Sequence, residues 1–280
     1  NVLPNFLIIG AEKGGTTWMH SRLRRHPEVY MPRVKELYFF NNDGGGEGKT
    51  QEWYEKHFEA APAVGEATPK YMYDEHAPRR IAEMVPDMKL ITCLRHPTDR
   101  VYSHYWMDRG VYKIDCSFKK VVSQKREPYI KNGLYGEQLD RYLSYFDRDQ
   151  LLILISEEVF SAPSASLNKI CSFLGVDDTF YQDQEWIARR ENRAARIRSR
   201  TALEVISAVG GWMRHTEGAR QVLDALKATG ITDLIKGANR EPREYPEMDP
   251  EVRKELDEYY RPTVGRVEEI IGRRIEAWRG

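Results

Sequence analysis

The sequence predicts an α/β fold in which a central parallel β-sheet is flanked by helices, with a helical cap or insertion late in the chain. Four short apolar runs predict buried strands, at residues 6–9, 64–67, 89–94 and 151–155. Helical patterns alternate with these strands, which favours a parallel sheet that is covered on both faces. With 280 residues, the chain is long enough to bury a substantial core as one large domain.

The helices predicted around the strands lie at residues 16–25, 52–58, 77–84, 99–108, 118–125, 136–146 and 165–174. Asp249 and Pro250 are residue types typical of a helix N-cap and a first helical position, so they predict a final helix. Pro262 should break or kink that helix, because proline lacks the N–H that an inner turn requires.

Residues 184–246 depart from the alternation of strands and helices. They begin with a polar, arginine-rich stretch and continue with helix-like segments at 203–213 and 217–227. We interpret them as an insertion or cap rather than as part of the sheet. The expected organisation is a single domain over residues 1–280, with a variable cap at about 184–246.

Charge and cysteine content exclude several classes of function. The chain has 43 Lys+Arg and 43 Asp+Glu residues, so its net charge does not favour nucleic acid or an anionic membrane as a partner. Its three cysteines lie far apart, which argues against a disulfide framework or a zinc site and favours a reducing compartment. No apolar run approaches the roughly 20 residues of a membrane span, and no signal peptide opens the sequence, so we expect a cytoplasmic protein.

The segment from Gly10 to Thr17 connects the first predicted strand to the first predicted helix. A glycine-rich turn in this position holds anions, because bare backbone N–H groups and the helix dipole converge on one point. A Walker A loop would have the pattern G-x-x-x-x-G-K-[ST]. Gly10 and Gly15 keep the glycine spacing, but Thr16 stands where the lysine belongs and the lysine is Lys13, inside the loop. The segment therefore predicts an anion site that differs from that of an ATPase.

A second candidate anion site follows the strand at residues 89–94. Arg95 leaves the carboxyl end of this strand, where ligands of open α/β sheets bind, and Ser103 lies roughly two helical turns further on. In kinases and NTPases an acidic residue commonly ends such a strand and holds magnesium. The arginine instead predicts a ligand with two separated anionic groups and no need for a metal. The alternative is that Arg95 makes a structural ion pair.

These two motifs resemble the 5′ and 3′ binding motifs of sulfotransferases, which use 3′-phosphoadenosine 5′-phosphosulfate (PAPS) as donor. Further segments are similar in the same order: residues 36–40 to E-x-x-F-F, 53–54 to W-Y, 90–106 to the strand, arginine, proline and D-R-x-Y-S, 173–176 to F-L-G-V, and 243–249 to the tail motif of heparan sulfate N-sulfotransferase domains. The resemblance extends over nearly the whole chain except residues 184–240. It implies the sulfotransferase variant of the P-loop α/β fold.

Departures from the family pattern bear on the acceptor. Ala67 replaces a lysine of the heparan-modifying members, Glu241 replaces the lysine of the tail motif, and net basicity is absent. Some bacterial members, including domains of polyketide-type synthases, sulfate hydroxyls of small or carrier-bound substrates. We therefore expect a bacterial enzyme whose acceptor is a small-molecule or carrier-protein-bound hydroxyl, rather than a glycan or an amine, with the cap on the acceptor side.

The resemblance also assigns residues to an in-line sulfuryl transfer, which should resemble phosphoryl transfer. Lys13 would neutralise the leaving 5′-phosphate, and adenosine 3′,5′-bisphosphate (PAP) would be the second product. The other residues expected to bind the donor are Gly14, Gly15, Thr16, Thr17 and Trp18 at the 5′-phosphosulfate, Arg95 and Ser103 at the 3′-phosphate, and Arg243 over the nucleotide. No metal is expected.

Glu36 is the expected general base. A carboxylate can take the proton of an acceptor hydroxyl, and partial burial among the aromatic residues 38–40 should raise its pKa. The alternative for Glu36 is an ion pair with Lys35 or Arg33 on a surface loop.

Histidine is the rival type of base, with His57 and His104 as candidates, although each also fits a packing role. The six arginines of residues 189–200 belong either to a solvated face or to a patch that receives an anionic acceptor. Two alternatives to the whole assignment stay open at this point. One is a P-loop kinase that binds ATP and magnesium, and the other is a non-catalytic nucleotide-binding interaction module.

Overall fold

The computed structural model describes residues 2–41, 49–111, 116–182, 185–188, 195–197, 240–242 and 245–279. Five strands form its central sheet: β1 Phe6–Gly10, β2 Val29–Tyr30, β3 Ala63–Ala67, β4 Lys89–Leu94 and β5 Leu151–Ile155. All of their pairings are parallel, in the order β2-β3-β1-β4-β5. The four predicted strands are confirmed, each to within one residue, and the two-residue β2 is the strand of this sheet that the sequence did not predict.

The strand order makes β1 the switch point of the sheet. β1 pairs with β3 on one side and with β4 on the other, so the chain after β1 first builds one half of the sheet and then the other. In open α/β sheets, ligands bind in the crevice outside the carboxyl end of such a strand. The segment that follows Gly10 lies at this place.

The helices of the structure are α1 Thr16–Leu23, α2 Gln51–Glu55, α3 Ala77–Met84, α4 Pro97–Val111, α5 Phe118–Ser123, α6 Tyr135–Leu143, α7 Ser156–Ser161, α8 Pro163–Leu174 and α9 Pro250–Ile271. Short 3-10 turns add Pro69–Met72, Lys131–Gly133, Arg148–Gln150, Glu185–Ala188 and Glu276–Trp278. The sequence predicted all of these helices except α7, which follows β5 without a connecting residue. None of the described helices is long and apolar enough to cross a membrane.

Helix α9 confirms the predicted N-cap and is not interrupted at Pro262. The side chain of Asp249 accepts a hydrogen bond from the Glu251 N–H at 2.9 Å, as expected of an N-cap. Of the break or kink expected at Pro262, the break does not occur, because the helix continues through this residue. One face of α9 is buried over its whole length, and this burial offsets the single hydrogen bond that proline removes. The buried residues are Val252, Leu256, Tyr260, Thr263 and Val267.

Apolar side chains cover both faces of the sheet. Phe6 and Ile8 of β1 belong to one buried cluster, together with residues of α1 and α8, whereas Leu7 and Ile9 belong to a second cluster with α3, α6 and α9. These four side chains are fully buried, as expected of a central parallel strand that is covered on both faces.

The chain divides into two compact units. The larger comprises Asn1–Tyr105, Cys116–Glu191 and Met248–Gly280, and it carries the sheet. The second comprises Trp106–Asp115 and Asn192–Glu247. Its described parts include β6 Ala195–Ile197, which pairs antiparallel with β7 Arg240–Pro242, and the ring of Trp106 stacked on Tyr245 at 5.8 Å.

The predicted cap at 184–246 overlaps this second unit. The helices expected at 203–213 and 217–227, and most of the arginine-rich run, lie outside the described residues. The single-domain organisation and the role of the cap therefore stay predictions.

Candidate active site

The loop between β1 and α1 is closed by its own backbone. The Gly14 N–H donates to the Ala11 carbonyl at 3.0 Å, and the Ala11 N–H donates to the Cys93 carbonyl of β4 at 3.0 Å. Lys13 and Gly15 adopt left-handed conformations, with φ of 70° and 104°. A lysine in this region is strained, and such strain is concentrated at binding and catalytic segments.

This geometry changes the predicted role of Gly14. Its N–H is already used within the loop, so it does not point at a ligand in this structure. The N–H groups of Gly15, Thr16 and Thr17 remain at the start of α1, where a helix has no acceptors of its own for its first amides. Together with the positive end of the helix dipole, they are placed where an anion could bind, and their role as the predicted anion site stays a prediction.

Gly14 instead permits a close approach of two backbones. A Cβ at this position would lie 1.9 Å from the Cys93 carbonyl oxygen, a distance that no side chain can adopt. The loop therefore lies directly on β4, two residues before Arg95. The structure thus brings the two predicted anion motifs to the ends of two neighbouring strands.

Arg95 is half-buried, and its backbone is fixed from two sides. Its carbonyl accepts a hydrogen bond from the Tyr135 hydroxyl at 3.0 Å. The next N–H, that of His96, donates to Glu157 at 2.9 Å, and the other oxygen of Glu157 accepts from the Trp278 indole at 2.9 Å. Among the described residues, no carboxylate pairs with the Arg95 guanidinium, which argues against a purely structural ion pair.

Ser103 lies on α4, and its side chain is buried. Trp18 is also buried, because its ring packs edge-on against Phe160 at 5.5 Å and its indole N–H donates to the Ile187 carbonyl at 3.0 Å. The ring of Trp18 therefore belongs to the core, and the backbone is the part of this residue that lies at the start of α1. Arg243 lies outside the described residues.

Glu36 is held by two polar neighbours. Lys35 Nζ lies 2.8 Å from Glu36 Oε1, and the Tyr38 hydroxyl donates to Glu36 Oε2. Burial alone would raise the pKa of Glu36, but the Lys35 ammonium, these hydrogen bonds and the Lys70 charge outweigh burial, so the pKa lies below its ordinary value. The expected rise in pKa is therefore wrong, and the predicted alternative of a pair with Lys35 is observed. The carboxylate is nonetheless ionised and able to accept a proton.

The chain before Glu36 is fixed by α1. His20 Nε2 lies 2.9 Å from the Pro32 carbonyl oxygen, and Arg24 Nε donates to the Met31 carbonyl at 3.2 Å. Burial lowers the pKa of His20 to about 4, so its ring is neutral in this contact at physiological pH.

The chain after Glu36 is fixed by hydroxyl groups that follow β3. The Leu37 N–H donates to Thr68 Oγ1 at 3.1 Å, and the Phe39 N–H donates to the Tyr71 hydroxyl at 2.9 Å. Tyr38, between these two residues, has a φ of 54°. Glu36 thus lies on a segment whose backbone is anchored on both sides.

Two further ionisable residues lie near this segment. Glu66 of β3 is fully buried, and burial raises its pKa to about 7, against the effect of three hydroxyl donors. Lys70 is exposed, and its ammonium lies 5.6 Å from the centre of the Tyr38 ring. The sequence signal for Glu66 was an acid inside an apolar strand. For Lys70 it was a lysine that lies three residues beyond Ala67.

The two histidine alternatives have other roles in the structure. His57 Nδ1 lies 2.9 Å from the Trp53 carbonyl oxygen, and its ring packs against that of Trp53. His104 Nδ1 faces Arg100 at 3.4 Å, and burial together with the Arg100 charge lowers the pKa of His104 to about 3. Glu36 therefore remains the better candidate for the base.

Comparisons with known proteins agree with this architecture. The family model described as a sulfotransferase domain matches residues 3–268. The chain is 30% identical over 282 residues to the mouse bifunctional heparan sulfate N-deacetylase/N-sulfotransferase 4, a match that covers 92% of this chain and 29% of the relative. The chain thus spans less than a third of the length of that relative.

Two solved structures are similar to the chain. The sulfotransferase from Alicyclobacillus acidocaldarius superposes with a TM-score of 0.70 at 26% identity and covers 100% of both chains. The mouse sulfotransferase SULT7A1 complexed with PAP superposes with a TM-score of 0.51 at 16% identity over 91% of this chain and 89% of that one, which indicates a common fold. The fold and the resemblance predicted from the sequence are confirmed, and the chain belongs to the sulfotransferase family of enzymes.

Proposed function

We propose that the protein transfers the sulfuryl group of PAPS to an acceptor and releases PAP. The observation that carries this proposal is the backbone contact between Gly14 and Cys93, which sets the loop of Lys13 beside the strand end that leads to Arg95. PAPS carries a phosphosulfate at its 5′ position and a phosphate at its 3′ position. Two neighbouring sites for anions, one at a helix start and one at an arginine, suit such a molecule.

In this proposal the N–H groups of Gly15, Thr16 and Thr17 bind the 5′-phosphosulfate at the positive end of α1. Lys13 neutralises the charge that develops on the leaving phosphate oxygen. Gly14 contributes the close approach of the loop to β4 rather than a hydrogen bond. Arg95 and Ser103 bind the 3′-phosphate. The further contact of Arg243 with the nucleotide stays a prediction from the tail motif.

The transfer itself is an in-line displacement at sulfur. A nucleophilic oxygen or nitrogen of the acceptor forms a bond to sulfur while the bond from sulfur to the 5′-phosphate oxygen breaks. The electron pair of that bond stays on the phosphate oxygen, beside Lys13, and the acceptor proton passes to Glu36. Lys70 adds a second cation near Tyr38 and Glu36, where it would stabilise the negative charge on the sulfuryl oxygens.

The acceptor has two candidate classes. The departures at Ala67 and Glu241 favour a hydroxyl of a small or carrier-bound substrate. The amine of a glycan is the second candidate, since the mouse relative is named for heparan sulfate N-sulfotransferase activity. The lowered pKa of Glu36 also suits an amine, because a neutral amine attacks before it loses its proton and then needs only a weak base.

A thermal-shift titration with PAP, run beside ATP with magnesium, tests the donor. A ligand at about a hundred times its dissociation constant stabilises a protein by roughly 2.7 kcal/mol. We expect a shift with PAP alone. A shift with ATP and magnesium alone would establish a kinase instead, and no shift with either would favour a non-catalytic interaction module.

Turnover then tests the chemistry. PAP release from PAPS is measured with a panel of acceptors that contains a phenol, a carrier-bound hydroxyacyl group and a glycan with free amines. The Lys13→Ala and Glu36→Gln variants should each lose roughly a hundredfold or more in kcat while keeping the fold. If Glu36→Gln retains normal turnover with every acceptor, Glu36 is not the base.

A further inference from the structure

Glu66 is the one buried carboxylate among the residues that the structure describes. It lies inside β3, opposite Leu7 of β1, at a position where a parallel sheet usually holds an apolar residue. A carboxylate in such a place destabilises the fold unless several hydrogen bonds satisfy its oxygens. Three hydroxyl groups do so here. Thr68 donates at 2.6 Å, Tyr71 at 2.5 Å and Tyr54 at 3.2 Å.

Two of these hydroxyls also accept hydrogen bonds from the segment that carries Glu36. Thr68 Oγ1 accepts the Leu37 N–H, and the Tyr71 hydroxyl accepts the Phe39 N–H. Each hydroxyl therefore accepts from a backbone amide and donates to the Glu66 carboxylate. The result is two parallel relays of hydrogen bonds that start at residues 37 and 39 and end on the two oxygens of Glu66.

The relays depend on the acceptor capacity of Glu66. Above its pKa of about 7, Glu66 is ionised and accepts at both oxygens, so both hydroxyls point their protons at it and keep their lone pairs for the amides. A glutamine offers one acceptor oxygen and one N–H₂ donor, so it can satisfy only one of the two hydroxyls in this orientation. Polarised chains of this kind are also stronger than the separate bonds.

We propose that Glu66 is a positioning residue for sulfuryl transfer, which fixes Glu36 in place through Thr68 and Tyr71. This inference rests on the proposed function, in which Glu36 takes the acceptor proton. The distance from the base to its proton must be held within a few tenths of an ångström, and a misplacement of about 1 Å can cost roughly a hundredfold in rate. A backbone segment with a left-handed residue, Tyr38, requires such external support to keep its conformation.

Tyr54 provides a matched control, because its hydroxyl also donates to Glu66. Among the described residues, that hydroxyl accepts no hydrogen bond from the segment, whereas the ring stacks on Phe39 at 4.2 Å. The Tyr54→Phe variant keeps the ring and removes only a hydrogen bond to Glu66. Its kcat and stability therefore show the effect of losing a buried hydrogen bond to Glu66 while both relays stay intact.

The test compares Glu66→Gln, Thr68→Val and Tyr71→Phe with Tyr54→Phe, all measured for kcat, for PAP affinity and for thermal midpoint. We expect the three relay variants to lose roughly tenfold to hundredfold in kcat with little change in PAP affinity, and Tyr54→Phe to lose stability but not kcat. Thr68→Ser, which keeps the hydroxyl, should restore the rate. The relay variants should also move the acid limb of the pH–rate profile upward, because a loosened segment weakens the contacts of Glu36 with Lys35 and Tyr38.

The outcomes separate this inference from the proposed function. If Glu36→Gln is inactive while the folded relay variants keep their kcat and pH profile, Glu66 has no positioning role and the inference is overturned. The same holds if Tyr54→Phe loses as much kcat as Tyr71→Phe. If Glu36→Gln is fully active, the assignment of the base fails, and the inference fails with it. If Glu66→Gln does not fold, the inference is tested by comparing the kcat of Thr68→Val with that of Thr68→Ser.

Discussion

Gly14 and Cys93 are in direct backbone contact, with room for a hydrogen but not for a methyl group at the Gly14 Cα. A Cβ there would lie 1.9 Å from the Cys93 carbonyl oxygen, the same oxygen that accepts the Ala11 N–H at 3.0 Å. One carbonyl of β4 therefore locates the loop that contains Lys13. Because Arg95 follows Cys93 by two residues, directly after the end of β4, this contact also sets the loop relative to Arg95.

The Gly14→Ala variant should lose PAP binding and become less stable. The atom that the new methyl group meets belongs to a central strand and cannot move aside, so the loop has to lift away from β4. Gly265→Ala is the matched control, since a Cβ there meets nothing within 4 Å and the residue lies inside α9. The control should gain roughly 0.5–1 kcal/mol of stability. Urea unfolding measures the stability of the two variants, and a titration measures their PAP affinity. Normal PAP affinity in Gly14→Ala would show that the contact between Gly14 and Cys93 is not needed for PAP binding.

Arg95→Ala should remove the preference for a 3′-phosphate. Charge-assisted hydrogen bonds contribute about 1.5–3 kcal/mol each, so PAP should bind roughly tenfold to a hundredfold more weakly. The affinity for adenosine 5′-phosphate, which lacks the 3′ group, should stay the same. Arg79→Ala, which removes an exposed arginine paired with Glu83 on α3, is the control and should bind both ligands normally. Equal losses for the two nucleotides would assign Arg95 to another part of the site.

Lys70→Met should lower kcat while PAP affinity changes little. Its ammonium lies near the Tyr38 ring and lowers the pKa of Glu36, so we expect it to act on the sulfuryl group during transfer rather than on the bound product. Removal of one such cation should cost roughly a hundredfold, and Lys70→Arg should retain part of the rate. Lys56→Met, at an exposed lysine paired with Glu52, serves as the control. An unchanged kcat in Lys70→Met would exclude this role.

His104 should make the fold sensitive to acid. Burial and then the Arg100 charge lower its pKa from 6.5 to about 3, so the ring is neutral in the folded state over a pH range in which the unfolded chain binds a proton. Stability due to His104 is therefore present above pH 6.5 and is lost as the pH falls toward 3, by roughly 1.4 kcal/mol per pH unit.

The His104→Asn variant should lose less stability than the parent protein when the pH is lowered from about 6.5 to about 4.5. An asparagine oxygen can still face Arg100, so the comparison at neutral pH is not dominated by an unpaired guanidinium. Urea unfolding at the two pH values measures the difference, and His76→Asn, at an exposed histidine, is the control. Parallel curves for His104→Asn and the parent would show that His104 does not carry this pH dependence.

Local signals in the sequence were sufficient for most of the sheet. Strands β4 and β5 were predicted with their observed bounds, because each is a largely apolar run and most of its residues are buried. Strand β2 could not be predicted, since two residues become a strand only by pairing with Ala63 and Val64, far away in the chain. Local propensity allowed either a break or a kink at Pro262. The absence of a break could not be predicted from the sequence, because it depends on packing along α9.

In the candidate site, too, some features could be predicted from the sequence and others could not. Lys13 and Arg95 could be proposed as site residues because each follows an apolar strand, where ligands of open α/β sheets bind. The state of Glu36 could not, because its pKa depends on where Lys35 Nζ and the Tyr38 hydroxyl lie in space. The connection of Glu66 to Glu36 could not be predicted for the same reason. It passes through side chains of β3 and of the turn that follows, and no sequence period relates them.

The position of β1 between β3 and β4 has a consequence for synthesis of the protein. β1 leaves the ribosome before both of its neighbours, so Phe6, Leu7, Ile8 and Ile9 are exposed with two unpaired strand edges until residues 63–94 have emerged. Unpaired apolar edges of this kind promote aggregation and recruit chaperones. Until Cys93 has been synthesised, the loop of Gly14 also lacks the carbonyl group of β4 against which it packs. If the nucleotide binds as proposed, it can do so only after the second half of the sheet has begun to form.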